Sequence, residues 1–83
     1  MSGTPIGNLV GKERKRLGWT LQSLADECAR SGWPVTPQAL NDIEMGRTRV
    51  PRGGLLRVLA ALFGKDFDEL VRAVYSTPQG VAS

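Results

Sequence analysis

The feature that most constrains this chain is a short helix with clear ends, followed by a run of bases. Thr36 carries the side-chain oxygen an N-cap needs, and Pro37 suits the first helical position, where its missing N–H costs nothing. Leu40 and Ile43, three apart, share one face and hold the helix down. At about 100° per residue, Gln38, Asn41, Asp42 and Met45 fall together on the opposite face. Gly46 suits the left-handed position that ends a helix. Arg47, Thr48, Arg49 and Arg52 follow with no acid among them. An amide-bearing face is suited to base edges, and a basic loop to phosphates.

A chain of 83 residues allows one domain. Its core must be small, and short helices with tight turns, or a partner subunit, are the economical ways to complete it. The single Cys28 excludes an intramolecular disulfide, and without histidine there is no credible zinc site; no metal and no cofactor are expected. No apolar run approaches the roughly 20 residues that span a bilayer. The opening MSGTPIGN has neither the charged nor the apolar region of a signal peptide, so a cytoplasmic setting without membrane contact is expected.

Net charge is only +3, but its distribution is uneven. Lys12 to Arg16 carries four bases and one acid, and Arg47 to Arg57 carries four bases and no acid. Between them, Leu17 to Gly46 sets Arg30 against Asp26, Glu27, Asp42 and Glu44. Two basic patches on a mildly acidic chain suggest a shaped anionic partner; the alternative is solvated helix faces.

Thr4-Pro5 repeats the Thr-Pro start, so the first helix is expected there, with Ile6, Leu9, Val10 and Leu17 inward and Gly18 as its stop. Gly7 and Gly11 within it cost about 1 kcal/mol each relative to alanine. Lys12, Lys15 and Arg16 lie off the stripe, towards water or phosphate. Thr20 caps the second helix, whose inward stripe is Leu21, Leu24, Ala25 and Cys28, the last read as a small core residue. Ser31-Gly32 ends it, and Trp33 is read as a lid on the core.

The fourth helix starts between Pro51 and Leu55. Leu56, Leu59, Ala60 and Phe63 form its inward stripe; Leu55, Val58 and Leu62 form a second, surplus strip. Asp66 to Glu69 reads as a capping box opening a fifth helix, with Phe67, Leu70, Val71, Val74 and Tyr75 apolar. The expected architecture is all-α, five short helices over residues 1–75, with a flexible tail over 76–83. With no oligomerisation domain following, a dimer would be built on Leu55, Val58, Leu62, Val71, Val74 and Tyr75.

RKRLGWTLQSLA at Arg14–Ala25, ALNDIEMGRTRVP at Ala39–Pro51 and LLRVLAALFGKDFDEL at Leu55–Leu70 together make the chain similar to a known family. It resembles the Cro/lambda-repressor-like helix-turn-helix regulators, often called the XRE family. The resemblance implies a compact five-helix fold whose second and third helices bind double-stranded DNA, the third in the major groove. It assigns base reading to Pro37, Gln38, Asn41 and Asp42, phosphate contacts to Thr20, Gln22, Arg47, Thr48, Arg49 and Arg52, and a structural ion pair to Arg14 and Glu44. Glutamine and asparagine can each bond adenine bidentately, and a carboxylate can accept from cytosine N4. Asp42 would also repel phosphate, and Pro37 offers only apolar contact. The chain departs from the family at Leu21, where many members have glutamine. It departs again over Ala25–Thr36, about five residues longer than in phage repressors by this comparison of motifs, so a longer second helix and a looser turn are expected.

The leading expectation is a sequence-specific transcription regulator, a repressor acting as a homodimer on an inverted repeat. The alternative is a protein-binding module, antitoxin-like or an anti-regulator, that turns its apolar helix 4/5 face to another protein. An enzyme is not expected: no nucleophile sits beside a base, and Asp66, Asp68 and Glu69 are better read as helix-start charges than as a metal cluster.

Overall fold

A computed structural model describes residues 4–48 and 53–75. Among these, the chain forms five helices and no strand: α1 (Pro5–Arg16), α2 (Leu21–Arg30), α3 (Pro37–Glu44), α4 (Gly53–Phe63) and α5 (Phe67–Tyr75). Arg49, Arg52 and the tail from Ser76 lie outside the described residues.

Threonine opens each of the first three helices. Thr4 Oγ1 accepts from the Gly7 N–H at 3.0 Å, Thr20 from Ser23 at 3.0 Å and Thr36 from Ala39 at 3.1 Å. Each bond satisfies an otherwise orphaned donor, worth about 1 kcal/mol per cap. Pro5 and Pro37 occupy the first turns of α1 and α3. The turn after α3 runs through Gly46 at φ +83°, a conformation that strains any residue with a Cβ. At the start of α5, Glu69 does not close a capping box; its carboxylate takes Lys65 Nζ at 3.4 Å.

The inward stripes meet in one core of Ile6, Val10, Leu24, Ala25, Cys28, Leu40, Ile43, Leu55, Leu56, Leu59, Ala60, Phe63 and Leu70. α3 packs between α1 and α2, while α4 packs on α2, α1 and α5. Cys28 is a core residue, and burial, helped by the charge of Glu27, pushes its thiol up to about 11. It stays neutral and unreactive at ordinary pH.

One expectation is corrected. Leu55 is only 5 % exposed and belongs to the core, because α4 is covered on more than one side and needs two apolar strips to meet its neighbours. Val58, Leu62 and Val74 are half-buried against that core, and Val71 is half-buried. Tyr75, at 69 % exposed, stands clear of it.

The approach of α1 to α3 depends on Gly7. A Cβ there would collide with the carbonyl oxygen of Ile43 and lie 2.9 Å from that of Glu44. The glycine that weakens α1 as an isolated helix is what lets α3 lie on it. Trp33 fills the matching role for α4: its ring occupies the space a Cβ on Gly54 would need.

Candidate nucleic-acid interface

α3 is fixed by its buried face and by both ends. Leu40 and Ile43 are buried, Thr36 caps the N-terminus, and the C-terminus is tied to α1 by a two-pronged ion pair. Arg14 Nε donates to Glu44 Oε2 at 2.6 Å and Nη2 donates to Glu44 Oε1 at 3.0 Å. Arg14 Nη1 donates to the Trp19 carbonyl at 2.9 Å, so one guanidinium joins α1, α3 and the turn entering α2. The two side chains are 14 % and 11 % exposed, and the Glu44 hydrogen bonds hold Arg14 still more firmly protonated than usual.

The opposite face of α3 is accessible. Gln38 and Met45 are exposed, and Asn41, Asp42 and Pro37 are half-buried. Here the structure joins residues that sequence reasoning treated separately. Asp42 Oδ1 accepts from Gln38 Nε2 at 3.0 Å and from Arg47 Nε at 2.9 Å. The bonds from Arg47 and then Gln38 hold the Asp42 carboxyl below the usual carboxylate range. The main chain repeats the link, since the Asp42 carbonyl accepts from the N–H groups of Arg47 at 2.8 Å and Thr48 at 3.2 Å. The exit turn is thus bound to the last turn of α3. A glutamine four residues before an aspartate is a helix pair readable from spacing; the Arg47 contact depends on how the turn closes.

At the head of α2, Thr20 Oγ1 accepts from the Ser23 N–H and donates to Ser23 Oγ at 3.0 Å, while Gln22 is exposed and donates to Asp26 Oδ1 at 3.0 Å. Six residues, Ser31 to Thr36, separate α2 from α3. α2 ends at Arg30, and the Trp33 N–H returns to the Cys28 carbonyl at 2.9 Å, so the connection starts as a closed turn. Arg47 and Thr48 lie in the turn that leaves α3 after Met45 and Gly46; Arg49 and Arg52, the other two residues assigned to the basic loop, lie outside the described residues.

Sequence reasoning missed Glu13. It is buried, with its carboxylate 2.6 Å from Arg16 Nε and 3.7 Å from Lys65 Nζ. Arg16 also reaches the Phe63 carbonyl at the end of α4, at 3.4 Å. The hydrogen bond from Arg16 holds the Glu13 carboxyl below its ordinary range against the opposing effect of burial. The signal was its position: Glu13 falls in line with Ile6, Val10 and Leu17 on the inward stripe of α1.

A family model described as helix-turn-helix matches residues 10–70, which takes in α2, α3 and α4 whole, α1 from Val10 onward and α5 as far as Leu70. Neither the curated proteins nor the solved structures contain a match. Five helices and no strand among the described residues, a capped and clamped α3 following α2 across a turn, and a family match over most of the chain lead to one conclusion. The chain belongs to the helix-turn-helix family of Cro/lambda-repressor-like, XRE-type DNA-binding regulators.

Proposed function

We propose that this DNA-binding domain is a sequence-specific transcription regulator that represses by occupying an inverted repeat as a homodimer in the cytoplasm, on the nucleoid. The observation that carries the reading is the two-sidedness of α3. Leu40, Ile43 and Glu44 face the scaffold, while Gln38, Asn41 and Asp42 remain on the accessible side. A helix held in this way can enter the major groove without losing its support. Gln38 and Asn41 supply bidentate readers of adenine, with Pro37 in apolar contact beside them. Thr20 and Gln22 at the head of α2, and Arg47, Thr48, Arg49 and Arg52 after α3, are the phosphate contacts.

The two-fold contact is assigned to Val58, Leu62, Val71, Val74 and Tyr75. The same apolar surface supports a second reading, in which it receives another protein and the chain acts as an antitoxin-like or anti-regulator module.

Selection of bound duplexes from a random pool tests the reading. A palindromic consensus is the expected result, and Gln38→Ala should abolish the preference at one position of each half-site. Recovery of no consensus, together with a stoichiometric protein partner that survives nuclease treatment of an extract, would favour the second reading.

A further inference from the structure

We propose that Asp42 is a positioning residue, which orients the reading amide of Gln38 and the guanidinium of Arg47 rather than reading a base itself. This rests on α3 being the reading helix. Asp42 Oδ1 accepts both side-chain bonds, from Gln38 Nε2 at 3.0 Å and Arg47 Nε at 2.9 Å. An ionised carboxylate only accepts. Of the two ways round the Gln38 amide can lie, only the one with nitrogen towards Asp42 is satisfied; the other sets the amide oxygen against an anionic oxygen. One N–H of Gln38 is thereby committed, leaving its carbonyl oxygen and second N–H. That acceptor and donor pair is what the N6 and N7 edge of adenine requires.

Arg47 is oriented by the same oxygen. Its Nε is bound to Asp42, which leaves the Nη groups for a phosphate. Its backbone N–H is bound to the Asp42 carbonyl, so the side chain and main chain of one residue set the start of the phosphate-gripping turn. The pairing also removes the main objection to a carboxylate on a DNA-facing helix, because Arg47 neutralises the charge that would repel phosphate. Both bonds fall on Oδ1, so a cytosine N4 could be met only by Oδ2, on a carboxylate whose orientation Gln38 and Arg47 already fix.

The test uses the full chain and selection from a random duplex pool, with wild type, Gln38→Ala, Asp42→Ala and the double variant side by side. The main-chain bonds of the turn are independent of the residue 42 side chain, so Asp42→Ala is expected to fold, as thermal melting would verify. Positioning predicts that Asp42→Ala relaxes the same operator position as Gln38→Ala, reducing discrimination there about tenfold, within the worth of one bidentate base contact. The double variant should be no less selective than Gln38→Ala alone. Asp42→Asn can accept from Gln38 in one of its two orientations, and its selectivity should fall between those of wild type and Asp42→Ala. Relaxation at a different position, adding to the effect of Gln38→Ala, would overturn the proposal in favour of direct reading. Relaxation by Gln38→Ala with none from Asp42→Ala would overturn it while leaving α3 as the reading helix. If Gln38→Ala changes no preference, α3 is not the reader, and the proposal falls with that reading.

Discussion

Replacing Glu44 with alanine should damage the fold far more than its place at the end of a short helix suggests. The carboxylate receives two charge-assisted hydrogen bonds from Arg14, at 2.6 and 3.0 Å, where the two side chains are only 14 % and 11 % exposed. Removing it leaves the guanidinium with its bond to the Trp19 carbonyl and little water to replace the rest. A stranded buried partner costs about 1–3 kcal/mol, more when charged, and the residual exposure of Arg14 discounts the upper end. We therefore expect a loss of about 2–3 kcal/mol, or a fall in Tm of about 10–20 °C for a domain of this size. Denaturant melts of wild type, Glu44→Ala, Arg14→Ala and the double variant form the cycle. Coupling of about 1 kcal/mol or more is the expected result, with the double variant little worse than either single one. Additivity within about 0.5 kcal/mol would mean that the two side chains do not stabilise one another, and the clamp on α3 would have to be found elsewhere.

Binding to duplex DNA should weaken steeply with salt, with a log–log slope of about −5 if a dimer neutralises about 6 phosphates. Arg47→Ala should flatten the slope, and a slope near zero in the wild type would refute phosphate contact. Gly7→Ala should destabilise by about 1 kcal/mol or more despite better helix propensity, because its Cβ would enter the Ile43 carbonyl. Gly53→Ala, whose Cβ would meet nothing within 4 Å, should be neutral or slightly stabilising in the same melts, and equal effects would discount the close approach of α1 and α3. The depressed Glu13 carboxyl contributes stability that is complete above its unfolded value and is lost as pH falls through the lower folded one. Glu13→Gln should therefore flatten the wild-type loss of stability as pH falls below about 4.5, and an unaltered acid profile would show that the buried cluster does not favour the ionised form. Tyr75→Asp, chosen because this side chain stands clear of the core, should give a folded monomer by sedimentation; a wild type monomeric both free and on DNA would remove the proposed two-fold contact.

Where the determinants were local, the fold could be read from the residues. Thr4, Thr20 and Thr36 each act within three residues of themselves, and Gly18, Gly32, Gly46 and Gly64 lie just beyond the helices they follow. Determinants that depend on which helix lies against which were harder. Arg14 and Glu44 are 30 residues apart, and from sequence only the family resemblance brings them together. Leu55 was misassigned because the number of neighbours around α4 cannot be counted from its own stripe. Glu13 escaped notice because a glutamate among bases reads as surface, although its place on the Ile6–Val10–Leu17 line put it inside. The Asp42 hub was half legible: the Gln38 contact follows from helical spacing, whereas the Arg47 contact needs the turn.

The division of α3 into a held side and an open side makes the domain a suitable host for reprogramming. Leu40, Ile43 and Glu44 carry the attachment to the scaffold, and Gln38 and Asn41 share none of those contacts. A combinatorial library varied at positions 38 and 41 should therefore retain most of its folded members, each presenting a different chemical edge from an unchanged platform. A library varied at position 44 should lose most of its members before any of them meets DNA. Position 42 belongs to neither group, since it couples the edge to the turn. Sequence variants that exchange Gln38 for a residue unable to donate to a carboxylate should be recovered together with a compensating change at 42.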